Sequence, residues 1–337
     1  MFNNIYVKVK DIIKKYYKEL IFLLILLFMS MPMPYYIYIG GGTINLDNRY
    51  TIENANKIEG SYNLAYVSEL KARTFTYLLS FIMPNWEKTS IDDYKVSDNE
   101  DVDSIEKRNK LALESANQTA VIIAYTKAGK ECNIIKTSNY ITYVYESINS
   151  NIKIGDILLK ADDVIIKNID DYREIINNKE INDTIKLTIL RNNKEITTNI
   201  KIQLINNSKL TGLGITPIYE YKTIPKINFN FKNSESGASG GLMVALSIYD
   251  SLTDKDLSKG LKIVGTGTIE SDGSVGEIGG VKFKLLGAIK SKADVFLVPY
   301  GSNYEEALKI RNEKNYNINI IGVKSFDDAI EKLKNIK

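Results

Sequence analysis

From Leu20 to Ile39 the chain carries no charged side chain, while Lys8, Lys10, Lys14, Lys15 and Lys18 precede that run and Arg49 is the first basic residue after it. About 20 uncharged, mostly apolar residues are what a helix needs to cross a bilayer core of ~30 Å. The run therefore predicts a single transmembrane helix. The positive-inside rule keeps the N-terminus in the cytoplasm and sends the chain from residue 43 onward outside the cell membrane. A cleaved signal peptide is the rival reading, but the apolar stretch exceeds a usual h-region and no small-x-small site follows Met29. Pro32 and Pro34 would fray the outer end, and Tyr35, Tyr36 and Tyr38 suit a membrane interface.

Histidine is absent from all 337 residues, and Cys132 is the lone cysteine. This excludes Ser-His-Asp and Cys-His catalysis, histidine-ligated metals, internal disulfides and a cysteine-cluster zinc site. A net charge of +3, with acidic and basic residues intermixed along the chain, gives no argument for nucleic acid. A serine does lie in the glycine-rich turn Ser236-Gly237-Ala238-Ser239-Gly240-Gly241, and lysines follow in Gly279-Gly280-Val281-Lys282-Phe283-Lys284. If Ser239 is a nucleophile, a Ser-Lys pair is the histidine-free way to activate it.

Residues 43 to 95 mix short β-like runs with the apolar block Thr74 to Met83, too short to span a membrane and read here as core rather than membrane contact. Helical spacing of Leu111, Ser115, Ala116, Thr119 and Ile123 predicts a helix over 104–127, stopped near Gly129. From Tyr140 to Leu204 the pattern turns to strands with one short helix near Asp170–Asn177, and Asn192-Asn193 joins two β-runs as a hairpin turn. The turn Lys153-x-Gly155-Asp156-Ile157-Leu158, the Asp170-Asp171-Tyr172 helix start and that hairpin resemble a PDZ domain of the bacterial protease-associated kind. The resemblance implies capture of an extended peptide by strand addition. The glycine-containing carboxylate loop expected before the first strand is not evident near Ser138-Asn139-Tyr140, and a small β-rich spacer stays open as the plainer reading.

Residues 205–224 read as a linker with a short strand, punctuated by Gly212, Gly214 and Pro217. Strands and helices then alternate to the C-terminus, as in a compact α+β domain of ~120 residues. Ser239 opens a helix reaching Ser251, and Lys284 lies in an apolar helix with Val281, Phe283, Leu285 and Leu286. Burial there would remove water from the amine and lower its pKa, as a general base requires. A helix N-terminus at Ser239 would direct N–H groups toward an oxyanion.

Residues 205–337 resemble the proteolytic domain of Lon-type proteases. The match lies in Ser239-Gly240-Gly241-Leu242, Gly265-Thr266-Gly267-Thr268-Ile269, and Gly273-x-Val275-x-x-Ile278-Gly279-Gly280-Val281-Lys282-x-Lys284, extended by Val295-Phe296-Leu297-Val298-Pro299. The full order is similar to membrane-anchored, ATP-independent Lon-like proteases of Gram-positive bacteria. The resemblance implies Ser239 as nucleophile, Lys284 as base and Thr266 as support for the lysine. Lys282, about 200° around the helix from Lys284, is taken as a surface residue. The family's proline before the serine and alanine after it are Ala238 and Gly240 here, and its acidic residue three positions earlier is Ser236, beside Glu235.

The expectation is thus an α+β protein in four parts. Residues 1–42 form a basic tail and transmembrane anchor, 43–130 a mixed α+β region, 131–204 a PDZ-like domain and 205–337 a Lon-like proteolytic domain. It would hydrolyse exposed or unfolded polypeptides, contact the lipid bilayer through residues 20–39, and need no cofactor and no metal. Lon-like domains often assemble as rings, so a homo-oligomer stays open, although no interface is legible. Two rivals also stay open: a non-catalytic, membrane-anchored peptide-binding protein, and a phosphate-binding fold like the GHMP kinases. Against the second, no Gly-x-x-x-x-Gly-Lys-Ser/Thr loop exists in the chain.

Overall fold

The computed structural model describes residues 2–97, 100–145, 148, 151–205 and 207–336. The chain opens with helix α1 (Phe2–Ser30), strands β1 (Pro32–Asn45), β2 (Tyr50–Ile52) and β3 (Ser61–Arg73), helix α2 (Thr74–Leu79) and strand β4 (Glu87–Ser90). Next come α3 (Val102–Lys127), β5 (Glu131–Val144), β6 (Ile157–Ala161), β7 (Val164–Ile165) and α4 (Ile169–Asn177). Strands β8 (Thr184–Arg191), β9 (Lys194–Lys201), β10 (Gln203–Ile205), β11 (Ser208–Leu210), β12 (Leu213–Ile224) and β13 (Ile227–Phe229) follow. The last third alternates α5 (Gly241–Leu252), β14 (Lys262–Gly265), α6 (Val281–Lys290), β15 (Val295–Pro299), α7 (Ser302–Lys314), β16 (Asn319–Val323) and α8 (Phe326–Lys334). These elements divide into a smaller unit, residues up to 40 with 68–94, and a larger one, 41–67 with 95–337.

In the smaller unit, the uncharged run does not form one helix. Helix α1 ends at Ser30, and Tyr35–Tyr38 pair instead, antiparallel, with Glu87–Ser90 of β4. Pro32 and Pro34 supply the break, because a proline inside a helix removes a hydrogen bond and clashes with the preceding turn. The alternating Tyr and Ile residues after them have strong β preference. The transmembrane helix over 20–39 is therefore corrected: among the described residues, no helix is long and apolar enough to cross a membrane. Thr74–Met83 is corrected as well. Phe75, Leu78, Phe81, Ile82 and Met83 are exposed, not core.

In the larger unit, one sheet has the order β16-β15-β14-β3-β1, and the pairs β16-β15, β15-β14 and β14-β3 are parallel. Every residue of β15 is buried, the mark of a parallel strand covered on both faces. Side chains alternate across it. Val295 and Leu297 join the core with α3, α5 and α8, while Phe296 and Val298 join the opposite core with α6 and α7. Helix α5 is buried along its whole length, mostly apolar as a central helix must be, and its Ser247, Ser251 and Asp250 side chains are hydrogen-bonded to the Tyr50 and Tyr62 hydroxyls.

A second sheet in this unit is antiparallel, ordered β12-β5-β6-β8-β9 with β7 against β6. Tyr172 and Ile176 of α4 close its core with Ile141, Leu158 and Leu187. Asn192 and Asn193 take φ of 50° and 60°, the left-handed pair that a two-residue hairpin demands. The linker expected over 205–224 is instead mostly strand: β12 pairs with β5 from Leu213 to Ile224. Pro217 is tolerated because β12 is an edge strand. Helix α3 covers that edge, where the Gln118 side chain accepts the Tyr219 N–H at 2.7 Å.

Candidate active site

Ser239 sits immediately before the N-cap of α5, Gly240, in a turn held by backbone bonds. Its carbonyl accepts from the Gly267 N–H at 2.7 Å and from the Thr266 hydroxyl at 2.9 Å. The first helical N–H groups are spent within the turn: Gly241 N–H on the Ala238 carbonyl at 3.2 Å and Leu242 N–H on the Gly267 carbonyl at 3.1 Å. The oxyanion donors expected from the first helical turn are thus occupied. Among the described residues, the N–H groups of Ser239 and Gly240 and the Ser239 hydroxyl make no hydrogen bond.

The double glycine lets this turn approach its neighbours. A Cβ at Gly240 would lie 2.7 Å from Leu64 Cδ1, and one at Gly241 would lie 2.6 Å from Ile269 Cγ2. Glycine in the place of the family's alanine thus has a local partner, the Leu64 side chain of β3. Upstream, the Gly237 N–H donates to the Asn109 carbonyl of α3 at 2.9 Å. Arg49 grips Glu235 Oε1 through Nε at 2.9 Å and Nη2 at 2.6 Å, with both side chains largely buried.

Gly280, at φ +71°, caps α6 and starts the turn that carries Lys284. Lys284 is 4% exposed, between Phe283 and Leu285, and Thr266 is fully buried. Burial lowers the Lys284 pKa from 10.5 to about 8, because an ammonium loses hydration there without a carboxylate to replace it. Its Nζ donates to Thr266 Oγ1 at 3.1 Å. The single Thr266 proton is committed to the Ser239 carbonyl, so toward the amine its oxygen is an acceptor. A neutral Lys284 therefore keeps its lone pair for another donor. Lys282 lies half-buried with Nζ 5.6 Å from the Phe283 ring centroid.

Thr266 thus links the amine to the Ser239 backbone, while no direct bond joins the Ser239 hydroxyl to Lys284. Sequence reasoning missed what packs against the helix that carries the lysine. A Cβ at Gly41 would lie 1.9 Å from the Phe283 carbonyl oxygen, and one at Gly287 would lie 2.8 Å from Gly42 N. Strand β1 therefore lies backbone-to-backbone against α6. The signal was present as Gly40-Gly41-Gly42. Arg49 and Asn109 had no local signal.

Residues 138–202 match the PDZ domain family, and residues 232–335 match the Lon protease (S16) C-terminal proteolytic domain. The Lon protease of Campylobacter jejuni is 36% identical over 98 residues, covering 29% of this chain and 12% of that protein. The Lon protease of Aster yellows witches'-broom phytoplasma is 31% identical over 99 residues, with the same shares. The chain therefore spans about an eighth of these curated relatives. A solved PDZ domain of an SdrC-like protein from Listeria monocytogenes is 20% identical with a TM-score of 0.22, covering 23% of this chain and 85% of that one. Residues 232–335 are a Lon-type (S16) C-terminal proteolytic domain, and residues 138–202, preceding it, are a PDZ domain.

Proposed function

We propose that this chain is an ATP-independent serine endopeptidase acting through a Ser239–Lys284 dyad. Neutral Lys284 accepts the Ser239 proton as Oγ attacks the scissile carbonyl. The Ser239 and Gly240 N–H groups receive the oxyanion, in place of the occupied donors of the first helical turn. The protonated lysine then hands its proton to the leaving amine, and in its neutral form activates water against the acyl-enzyme. Thr266 orients the amine. The observation that carries this reading is a buried lysine, with its pKa lowered to about 8, tied through one threonine hydroxyl to the backbone of the serine. A hydroxyl and an amine that are not yet bonded suit a site awaiting substrate, since such contacts tighten in the complex.

Exposed or unfolded polypeptides are the proposed substrates, with the PDZ domain presenting extended segments. The test is labelling by a serine-reactive fluorophosphonate with casein cleavage in the absence of ATP. Labelling at Ser239 that disappears in Lys284→Ala, together with cleavage, is expected. Binding of peptide without labelling or cleavage would favour the non-catalytic rival.

We also propose that α1 places the protein at the cell membrane. Leu20–Phe28 is apolar and exposed on every side of the helix, directly after the lysine-rich stretch ending at Lys18. A helix apolar all round calls for an apolar surrounding. Flotation of the full chain with vesicles, abolished by charged substitutions at Leu24 and Phe28, tests this.

A further inference from the structure

We propose that residues 74–83 form a second membrane-inserted element beside the end of α1. The inference rests on the membrane reading of α1 and extends it to a segment with no role in catalysis. Leu20–Ser30 rises only about 16 Å, roughly half of a ~30 Å bilayer core. The apolar surface continues, however, into another part of the chain. The Thr74 N–H donates to the Met31 carbonyl at 2.9 Å, and Arg73 Nη1 donates to the Ser30 carbonyl at 2.8 Å. These bonds fix the start of α2 against the end of α1.

From that junction the chain presents Phe75, Leu78, Phe81 and Ile82, exposed by 56, 47, 65 and 80%. No charged residue lies between Thr74 and Met83. Exposed apolar side chains this dense mark a surface that something covers. Its rim identifies the occupant as lipid. Lys88 Nζ stands 3.4 Å from the Phe81 ring centroid and 4.7 Å from that of Tyr77, and Trp86 lies three positions past the end of the apolar block. Tyr and Trp rings with a basic side chain at the edge of an apolar cluster are the chemistry of the headgroup layer, where a lysine stem lies on apolar surface and its ammonium reaches water. Residues 74–83 therefore dip into the leaflet that receives the C-terminal end of α1, with Arg73 and Lys88 at headgroup level.

The test uses the full chain with Cys132→Ser, so that Ile82→Cys can be labelled singly with the environment-sensitive fluorophore NBD. A second sample carries the label at Phe75→Cys, and a control carries it at the exposed Glu313→Cys. Vesicles of phosphatidylcholine and phosphatidylglycerol contain spin-labelled lipid. Expected are a blue shift and lipid quenching at positions 82 and 75, with position 313 unchanged. Vesicle-bound protein whose label at 82 stays in water overturns the proposal while leaving the α1 anchor intact. Protection at 82 without quenching by lipid assigns the surface to a second copy and also overturns it. Equal quenching at 313 would mean general adsorption and overturns it too. Failure to float at all removes the anchor reading together with this one.

Discussion

Lys284 Nζ donates to Thr266 Oγ1 at 3.1 Å, and the same hydroxyl donates to the Ser239 carbonyl at 2.9 Å. One threonine therefore sets both the aim of the amine and the position of the serine backbone. Thr266→Val should keep the fold, since the shape is preserved, but leave the amine unguided. We expect kcat to fall by about 10–100-fold, less than the ~10²–10⁴-fold that an acid–base group itself contributes, with KM little changed. Thr266→Ser should recover most of the loss. Full activity in the valine variant would remove the threonine from the mechanism.

The pH dependence follows from Lys284. With a pKa of about 8, about one amine in ten is neutral at pH 7, against about one in three thousand for an ordinary lysine. In the proposed mechanism the neutral form is the base, and it grows with pH. Peptide cleavage by kcat/KM should therefore rise about tenfold per pH unit below the pKa of about 8 and level off above it. A flat profile from mildly acidic to neutral pH would contradict the assignment.

Stability should also rise with pH, but over a higher range than catalysis. Below about pH 8 both folded and unfolded chains hold the Lys284 proton, and the fold bears the whole cost of a buried ammonium, about 3 kcal/mol. Between about 8 and 10.5 the folded chain has released a proton that the unfolded chain retains, so stability climbs with pH. Lys284→Met should thus be inactive yet melt at a higher temperature than the parent at pH 7, with the gap closing by pH 10. Thermal unfolding across that range measures it.

Gly41→Ala addresses the packing of β1 on the helix that carries the lysine. Its Cβ would meet the Phe283 carbonyl oxygen at 1.9 Å and the carbonyl carbon at 2.6 Å, and backbone atoms cannot swing aside. Strand and helix must part, costing about 1–3 kcal/mol. If that parting admits water to Lys284, its pKa rises and the ascending limb of the pH profile moves to higher pH. Gly279→Ala, with nothing within 4 Å, is the stability control. Equal melting temperatures for the two variants would show that the strand yields.

What could be read in advance followed from local chemistry. The continuous apolar run Val295–Val298 announced a strand, which the structure covers on both faces, Asn192-Asn193 announced its hairpin, and the spacing from Leu111 to Ile123 announced α3. What escaped was set by partners distant in sequence. Hydropathy alone ran α1 on to Ile39, because it could not register that Tyr35–Tyr38 pair with Glu87–Ser90. Gly212, Gly214 and Pro217 made β12 resemble a linker, although an edge strand paired with β5 accommodates all three. The Arg49–Glu235 ion pair, 186 positions apart, left no trace in either neighbourhood.

Helix α3 holds the loop before Ser239 at Asn109 and the β12 rim of the antiparallel sheet at Gln118. On the proposed reading, a single rod thereby acts as the ruler between the place where a polypeptide is gripped and the place where it is cut. Adding one residue to the rod between those two points would turn one end against the other by about 100° and lengthen it by about 1.5 Å, so grip and blade would fall out of step with every atom of the dyad still in place.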